Sequence, residues 1–548
     1  MAKTPYHNVS TRQTPQSQPI PGTIPNSAGG YAFGVDDWTR LGRFLILGSE
    51  GGSYYATERK LTTENADTLM RCIKEDGPRV VEMLTEISVA GRNPKQQPIM
   101  FALAACAGAD PVTRAAALEA LPKVCRTGTH LFLFASYVEQ FRGWGRGLRT
   151  AVAKWYLEPH AAQDENDLVE MLPEAQADRG AKHVQWLTLQ LAKYRQREGW
   201  SHRDMLRLSK PRPEQGSLLA GALGWAVGKT EGKNIDSFLQ AVDEAQTADP
   251  KRLVDLIEMF RLPWEVVPSE KLADSVVWSA LLPNMGIGAL VRNLSRLTAN
   301  GTLVPMSHNL DVVVAKLLND QAIKGSRIHP LNVLTAAVTY GKGRGLKGSL
   351  SWQPIGKISD ALDSTFHKAF SNVVPANKRT LIGLDVSGSM TMGNISGTFL
   401  TPRVGAAAMS LVTYRTEPNS HVVAFCDRLV PIDISPKMSV RDVVRVTDNL
   451  SFGRTDCAQP MLYAMEKGLD VDTFLILTDS ETWAGGIHPV QALNEYRRKT
   501  GIPARLIVVG MVSNGFSIAD PNDAGMLDVV GFDSAAPAII ADFSAGRI

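Results

Sequence analysis

Residues 380–389 read TLIGLDVSGS, an apolar run that ends in Asp385 and is followed by Ser387, Gly388 and Ser389. A short apolar run without polar alternation is the pattern of a strand buried on both faces. Three more runs share it: 421–425 (HVVAF), 473–477 (TFLIL) and 505–509 (RLIVV), with helical stretches such as 403–414 between them. Strands alternating with helices predict a parallel, doubly wound α/β domain over residues 373–548. Ligands of such sheets bind at the loops leaving the carboxyl ends of the strands, and Asp385, Ser387 and Ser389 fall on one of these.

A carboxylate and two hydroxyls at alternate positions can turn toward one point when Gly388 lets the backbone curl. Such hard oxygens suit a divalent cation of the Mg²⁺ type. Taken alone, an Asp-x-Ser-x-Ser run is more often an ordinary turn. Here Thr455, in the loop Gly453-Arg454-Thr455-Asp456, and Asp479, which closes the 473–477 run, stand in the right order at further strand exits. The three elements together resemble a von Willebrand factor A domain with a metal-ion-dependent adhesion site. The resemblance implies that Ser387, Ser389 and Thr455 ligate the cation directly, with Asp385 and Asp479 close by through water. It also implies an open position for an acidic group of a partner. Arg454 departs from the Gly-Gly that often precedes the threonine, and adds a charge at the rim.

Upstream, from residue 31 to 372, the rhythm is helix after helix with short Gly, Pro, Asp or Asn breaks. Helical spacing of apolar residues predicts helices over 98–106, 111–121, 130–141, 181–197, 217–227, 236–245, 250–260, 271–282 and 330–340. Asp110-Pro111 is a cap residue followed by a first-turn proline. Many short helices without intervening strands predict paired helices stacked in a HEAT-like array. The segment 341–354 (GKGRGLKGSLSWQP) mimics a phosphate loop only in part, because Ser349 stands where the lysine is required. Residues 1–30, rich in Pro, Ser, Thr, Gln and Gly with no apolar core, read as a disordered tail.

At 548 residues the chain exceeds one ordinary core. Its net charge of +3 leaves any nucleic-acid surface to local clustering of cations. Five scattered cysteines without a CxxC pair argue against a disulfide framework or structural zinc. No run approaches the roughly 18 apolar residues of a membrane span, so a cytoplasmic, non-membrane protein is expected.

One cluster stands out. In 193–212 (KYRQREGWSHRDMLRLSKPR), Lys193, Arg195, Arg197, Arg203, Arg207, Lys210 and Arg212 face only Glu198 and Asp204, with Tyr194, Trp200 and His202 interleaved. Cations that neutralise phosphate beside rings that stack on bases suit single-stranded RNA better than duplex grooves. A solvated helix face is the alternative, and a second group, Arg142, Trp144, Arg146, Arg149, Lys154 and Tyr156, weighs against it; Trp155 in the same stretch belongs to the core.

These two stretches, 126–156 and 193–213, together with WTRLGRFLILGSEGGSYY (38–55) and TYGKGRGLKGSLSW (339–352), resemble the Ro ribonucleoprotein family with its TROVE module. The most specific words are GWSH (199–202) and LGSEGG (47–52), and the A-type domain follows in that family's order. The resemblance covers residue 31 to the C-terminus. It implies a ring of HEAT-like repeats, closed by the A domain, that binds Y RNAs on a basic outer surface and takes single-stranded ends of misfolded small noncoding RNAs. It further implies roles in RNA quality control and stress, with an exoribonuclease or another protein offering an acidic group as partner. The function expected is therefore non-enzymatic. A metal-dependent phosphoryl hydrolase is the rival class, disfavoured by a hydroxyl-rich site lacking a second carboxylate cluster; an A-domain scaffold working with a separate ATPase is the third.

Overall fold

The computed structural model describes residues 13–49, 58–159, 179–326, 328–345, 349–370, 374–395, 399–448, 450, 453–532 and 535–547. Residues 1–12 of the expected tail, 50–52 of LGSEGG and 346–348 of the glycine-rich loop lie outside them. In chain order the strands are β1 (Thr23–Pro25), β2 (Tyr31–Gly34), β3 (Gln196–Arg197), β4 (Trp200–Ser201), β5 (Thr380–Asp385), β6 (Ser420–Phe425), β7 (Leu429–Val430), β8 (Thr473–Thr478), β9 (Arg505–Gly510), β10 (Phe516–Ser517) and β11 (Met526–Val530).

The four apolar runs form the centre of one sheet of order β11-β9-β8-β5-β6-β7. Its first five strands are parallel and β7 is antiparallel at the edge. β5 and β8 are buried along their whole length, which is why they carry no polar alternation. In register, Leu384 pairs with Leu477, so Asp385 and Thr478 leave the sheet side by side.

The upstream part is helical, as its periodicity predicts: Gln97–Gly108, Pro111–Val124, Gly128–Phe141, Leu218–Ala226, Ser237–Thr247, Pro250–Phe260 and Pro330–Gly341 fall on the expected stretches. Asp110 caps its helix by accepting from the N–H groups of Val112 and Thr113. Two expectations are corrected. The stretch 271–282 is broken by Asp274, which caps a new helix Ser275–Leu281. The helix expected over 181–197 ends at Lys193, and the chain turns into the β3–β4 hairpin. Glu198 and Gly199 form its two-residue loop, both with positive φ (51° and 79°), the geometry of a tight type I′ hairpin turn.

Successive helices pack on one another, and the array closes: His329 Nε2 lies 3.2 Å from the carbonyl oxygen of Arg92. The α/β domain joins both ends. Arg43, on the first helix (Asp37–Leu47), is 1% exposed and donates to both carboxylate oxygens of Asp528 on β11 at 2.5 Å. At the other end, Asp363 accepts from the N–H of Val440 at 2.6 Å.

The disordered-tail expectation fails from residue 13 onward. β1 pairs with β2, and β2 pairs with β10 of the C-terminal domain. Gln16, fully buried, donates to Asp456 Oδ1 at 2.6 Å and to the Ile487 carbonyl at 2.8 Å, and accepts from Thr482 Oγ1. The polar composition that suggested disorder supplies side chains that bond to loops of the α/β domain.

Candidate metal centre and nucleic-acid interface

Two strand-exit loops, after β5 and β8, meet a third loop that bears Thr455; this one joins the helices Val440–Asp448 and Gln459–Lys467, so the expected strand exit at Thr455 is corrected. Asp385 accepts from the Ser387 N–H at 2.8 Å and from Thr478 Oγ1 at 2.6 Å, which fixes both carboxylate oxygens. Ser387 Oγ and Ser389 Oγ are 3.0 Å apart. A backbone bond from Gly388 N–H to Gly453 O, 3.2 Å, ties this loop to the one bearing Thr455. The Thr455 carbonyl in turn accepts from the N–H groups of Trp483 and Ala484 at 3.0 Å. The five expected ligands, Asp385, Ser387, Ser389, Thr455 and Asp479, are all buried.

Burial pushes the carboxyl groups of Asp385 and Asp479 above the ordinary carboxylate range, and for Asp479 the charges of Asp385 and Glu481 push the same way. Burial likewise lifts Glu481 to about 7. Two buried carboxylates facing each other with three hydroxyls around them form a donor set that a hard cation would neutralise. Among the described residues no group of three or more His, Cys, Asp or Glu could hold a metal, so any cation here depends on hydroxyl oxygens. Thr478 was missed as a participant, although it directly precedes Asp479. Arg454 is exposed at the rim, its guanidinium 3.3 Å from Asp427 and 5.4 Å from the centre of the Trp483 ring.

The basic residues separate into surface and core. Arg142, Arg146, Arg149, Arg195, Arg197, Arg203 and Arg207 are exposed. Lys193 is half-buried, 3.5 Å from Glu265. The two basic stretches, distant in sequence, meet where the rings of Trp144 and Trp200 lie 5.5 Å apart, and the helix Arg146–Leu157 packs on His202–Ser209. Trp155 is fully buried, as expected.

His202 is corrected from RNA contact to core residue. It is 3% exposed, its Nδ1 2.8 Å from Tyr156 Oη and its Nε2 3.2 Å from the Gln190 carbonyl. The Phe132 ring stands edge-on at 4.7 Å, and a Cβ at Gly128 would meet Nε2 at 2.7 Å, so only glycine admits the imidazole. Burial lowers the His202 pKa to about 3. Tyr156, fully buried beside it, also leaves the surface set.

The fold defines a closed helical array joined at both ends to a von Willebrand A-type domain. The family model described as the Ro60 vWA domain matches residues 379–544, and that of the TROVE domain matches 24–261 and 260–339. The chain belongs to the Ro60 family. It is 38% identical over 535 residues to "RNA-binding protein RO60" of Deinococcus radiodurans, covering 96% of each chain. It is 36% identical over 609 residues to the protein of the same name in Caenorhabditis elegans, covering 96% of this chain and 91% of that one. The solved structure of the Deinococcus radiodurans RO (RSR) protein matches with a TM-score of 0.68 and 38% identity, over 94% of this chain and 100% of that one. These relatives are named as RNA-binding proteins rather than as enzymes. No helix among the described residues is long and apolar enough to cross a membrane.

Proposed function

We propose that the chain is an RNA-binding protein of Ro type, which holds Y RNAs and single-stranded ends of misfolded noncoding RNAs and serves RNA quality control and the stress response in the cytoplasm. The observation that carries the reading is the meeting of two basic stretches at Trp144 and Trp200, which brings the two arginine-bearing segments together. Exposed guanidinium groups there can pair with phosphates while the half-buried indoles offer stacking surfaces. The names of the relatives support the same reading.

In the second part of the reading, Ser387, Ser389 and Thr455 would hold Mg²⁺ or a similar cation, with Asp385 and Asp479 behind them. The cation would supply a Lewis-acidic position for a carboxylate of a protein partner, such as an exoribonuclease. Asp385 holds the loop in shape through Ser387 and Thr478.

The test combines crosslinking of the protein to RNA in its host, followed by sequencing, with charge reversal of Arg195, Arg197 and Arg207. Structured small RNAs should be enriched, and each lost phosphate contact should lower the log–log salt slope by roughly 0.7 to 0.9. Random mRNA fragments, or an unchanged slope, would refute the reading.

A further inference from the structure

β6 runs parallel to β5 and leaves the sheet at the same carboxyl edge, through the turn Cys426-Asp427-Arg428 that leads into β7. Backbone bonds tie this turn to both neighbouring loops of the candidate metal centre. The Val386 N–H donates to the Phe425 carbonyl at 2.9 Å, and the Asp456 N–H donates to the Cys426 carbonyl at 2.9 Å. A Cβ at Gly453 would meet Asp427 Oδ1 at 2.9 Å, so the Asp427 carboxylate lies against the backbone that leads into Arg454 and Thr455.

Two guanidinium groups share that one carboxylate. Arg428 Nη1 lies 3.1 Å from Oδ1, and Arg454 Nε lies 3.3 Å from Oδ2. The arginine side chains are 64% and 62% exposed while that of Asp427 is 20% exposed, so the cations face outward over a half-buried anchor. Neither arginine has a second ion pair among the described residues, which leaves this rim with a net positive charge. Arg454 is held from another side as well, 5.4 Å from the centre of the Trp483 ring, and the Trp483 N–H bonds the Thr455 carbonyl at 3.0 Å. Both Nη groups of Arg454, and Nε and Nη2 of Arg428, have no acceptor among the described residues. Planar forks of donors already fixed by their neighbours match a carboxylate, and little side-chain freedom is left to lose on binding one.

We propose that Arg428 and Arg454, positioned by Asp427, bind a second carboxylate of a protein partner whose first carboxylate faces the cation site of Ser387, Ser389 and Thr455. The inference rests on the proposed cation site and adds the chemistry of its partner: an acidic segment with two carboxylates close in sequence, and not a lone Asp or Glu. Arg454 directly precedes Thr455, so the two subsites are neighbours on one loop. A lysine beside the first carboxylate would meet like charge and be rejected.

The experiment uses the full chain in Mg²⁺ and ligand-observed NMR titration of short blocked glycine peptides. One peptide carries a single Asp; the others add Glu, or Lys, at each of the next few positions. A double variant, Arg428→Gln with Arg454→Gln, alters two exposed side chains outside the proposed ligand set, and its Tm serves as the folding control. At the best spacing, wild type should bind the diacid about fivefold more tightly than the monoacid, the upper end for exposed ion pairs. The double variant should lose that advantage, hold the monoacid within about twofold of wild type, and no longer disfavour the Lys peptides. Equal binding of monoacid and diacid at every spacing, with both dependent on Mg²⁺, overturns the proposal and leaves the cation site standing. So does an advantage that persists in the double variant, or a failure to bind any peptide while calorimetry shows Mg²⁺ uptake. Peptide binding that chelator leaves unchanged, or absence of both Mg²⁺ uptake and peptide binding, refutes the cation site and the proposal with it. A fall in RNA affinity of the double variant would assign the two arginines to RNA phosphates and overturn the assignment to a protein partner.

Discussion

His202→Ala tests the reassignment of that histidine from RNA to core. The substitution empties a site enclosed by Phe132, Tyr156 and the Gln190 carbonyl, and leaves the Tyr156 hydroxyl without its partner. A cavity of this kind plus one orphaned buried hydroxyl costs about 3 kcal/mol at pH 7. The pH dependence is more specific. The folded protein holds the imidazole neutral down to about 3, whereas the unfolded chain protonates near 6.5. Between those values the unfolded state binds the extra proton, so stability rises with pH and is lost as pH falls below 6.5. Each pH unit in that window removes about 1.4 kcal/mol. By pH 5 the wild type has lost about 2 kcal/mol through this one group, and a variant lacking the imidazole escapes that loss. The His202→Ala penalty should therefore shrink from about 3 to about 1 kcal/mol between pH 7 and pH 5. Urea unfolding of wild type and variant at the two pH values measures it, with RNA affinity of the folded variant at pH 7 as control. A penalty independent of pH, or a variant of wild-type stability with weakened RNA binding, would refute the core assignment.

Two further outcomes are expected. Asp385→Ala combined with Ser387→Ala removes two oxygen donors from one loop and should abolish Mg²⁺ binding in calorimetric titration, with RNA affinity unchanged within about twofold; loss of RNA binding, or of an RNA-cleaving activity, would assign the metal to RNA chemistry instead. Gln16→Ala removes buried hydrogen bonds to Asp456 and to the Ile487 carbonyl, leaving Asp456 only the Ala458 N–H and the Gln459 amide as donors, and should lower stability by about 2 kcal/mol, seen as a fall in Tm, whereas a disordered segment would tolerate the change.

The strands that decide the α/β domain were legible because burial on both faces demands unbroken apolar runs, as in β5 and β8. β11 was not, because Asp528 interrupts it, and the partner that neutralises Asp528 is Arg43, almost five hundred residues away. The proposed ligands Asp385, Ser387, Ser389 and Asp479 could be placed because they stand directly at the exits of β5 and β8, where local sequence fixes their position, whereas Thr455 lies on a loop between two helices. His202 was misread for the opposite reason. Its local context is polar and basic, and its burial comes from Phe132, Tyr156 and Gln190 on other helices. The N-terminal segment was hidden in the same way: Gln16 is an ordinary polar residue until Asp456, Thr482 and Ile487 surround it. The hairpin at 196–201 did carry a local signal, the Glu198-Gly199 pair, which helical periodicity masked.

Ring closure and the candidate metal centre share a residue. Arg43, which anchors the first helix on β11, also donates to the carbonyl and side-chain oxygens of Asn514 at 3.1 and 3.2 Å. The Asn514 amide in turn donates to the Asp479 carbonyl at 2.7 Å. One buried asparagine therefore holds the loop of a proposed ligand and the end of the helical array in the same register. From the other side, Ser27 of the N-terminal segment gives its N–H to Glu481 at 2.8 Å, two residues beyond Asp479. The Asp479 loop is thus fixed by contacts from the array and from the N-terminal segment, while the Asp385 loop is fixed within the domain by Ser387, Thr478 and Gly453. Altering Asp385 and Ser387 removes oxygen donors without touching Asn514 or Arg43. Altering Asp479 together with its neighbours would disturb both the centre and the closure. The loop after β5, and not the loop after β8, is the place where the proposed cation site can be altered without disturbing the contacts that close the ring.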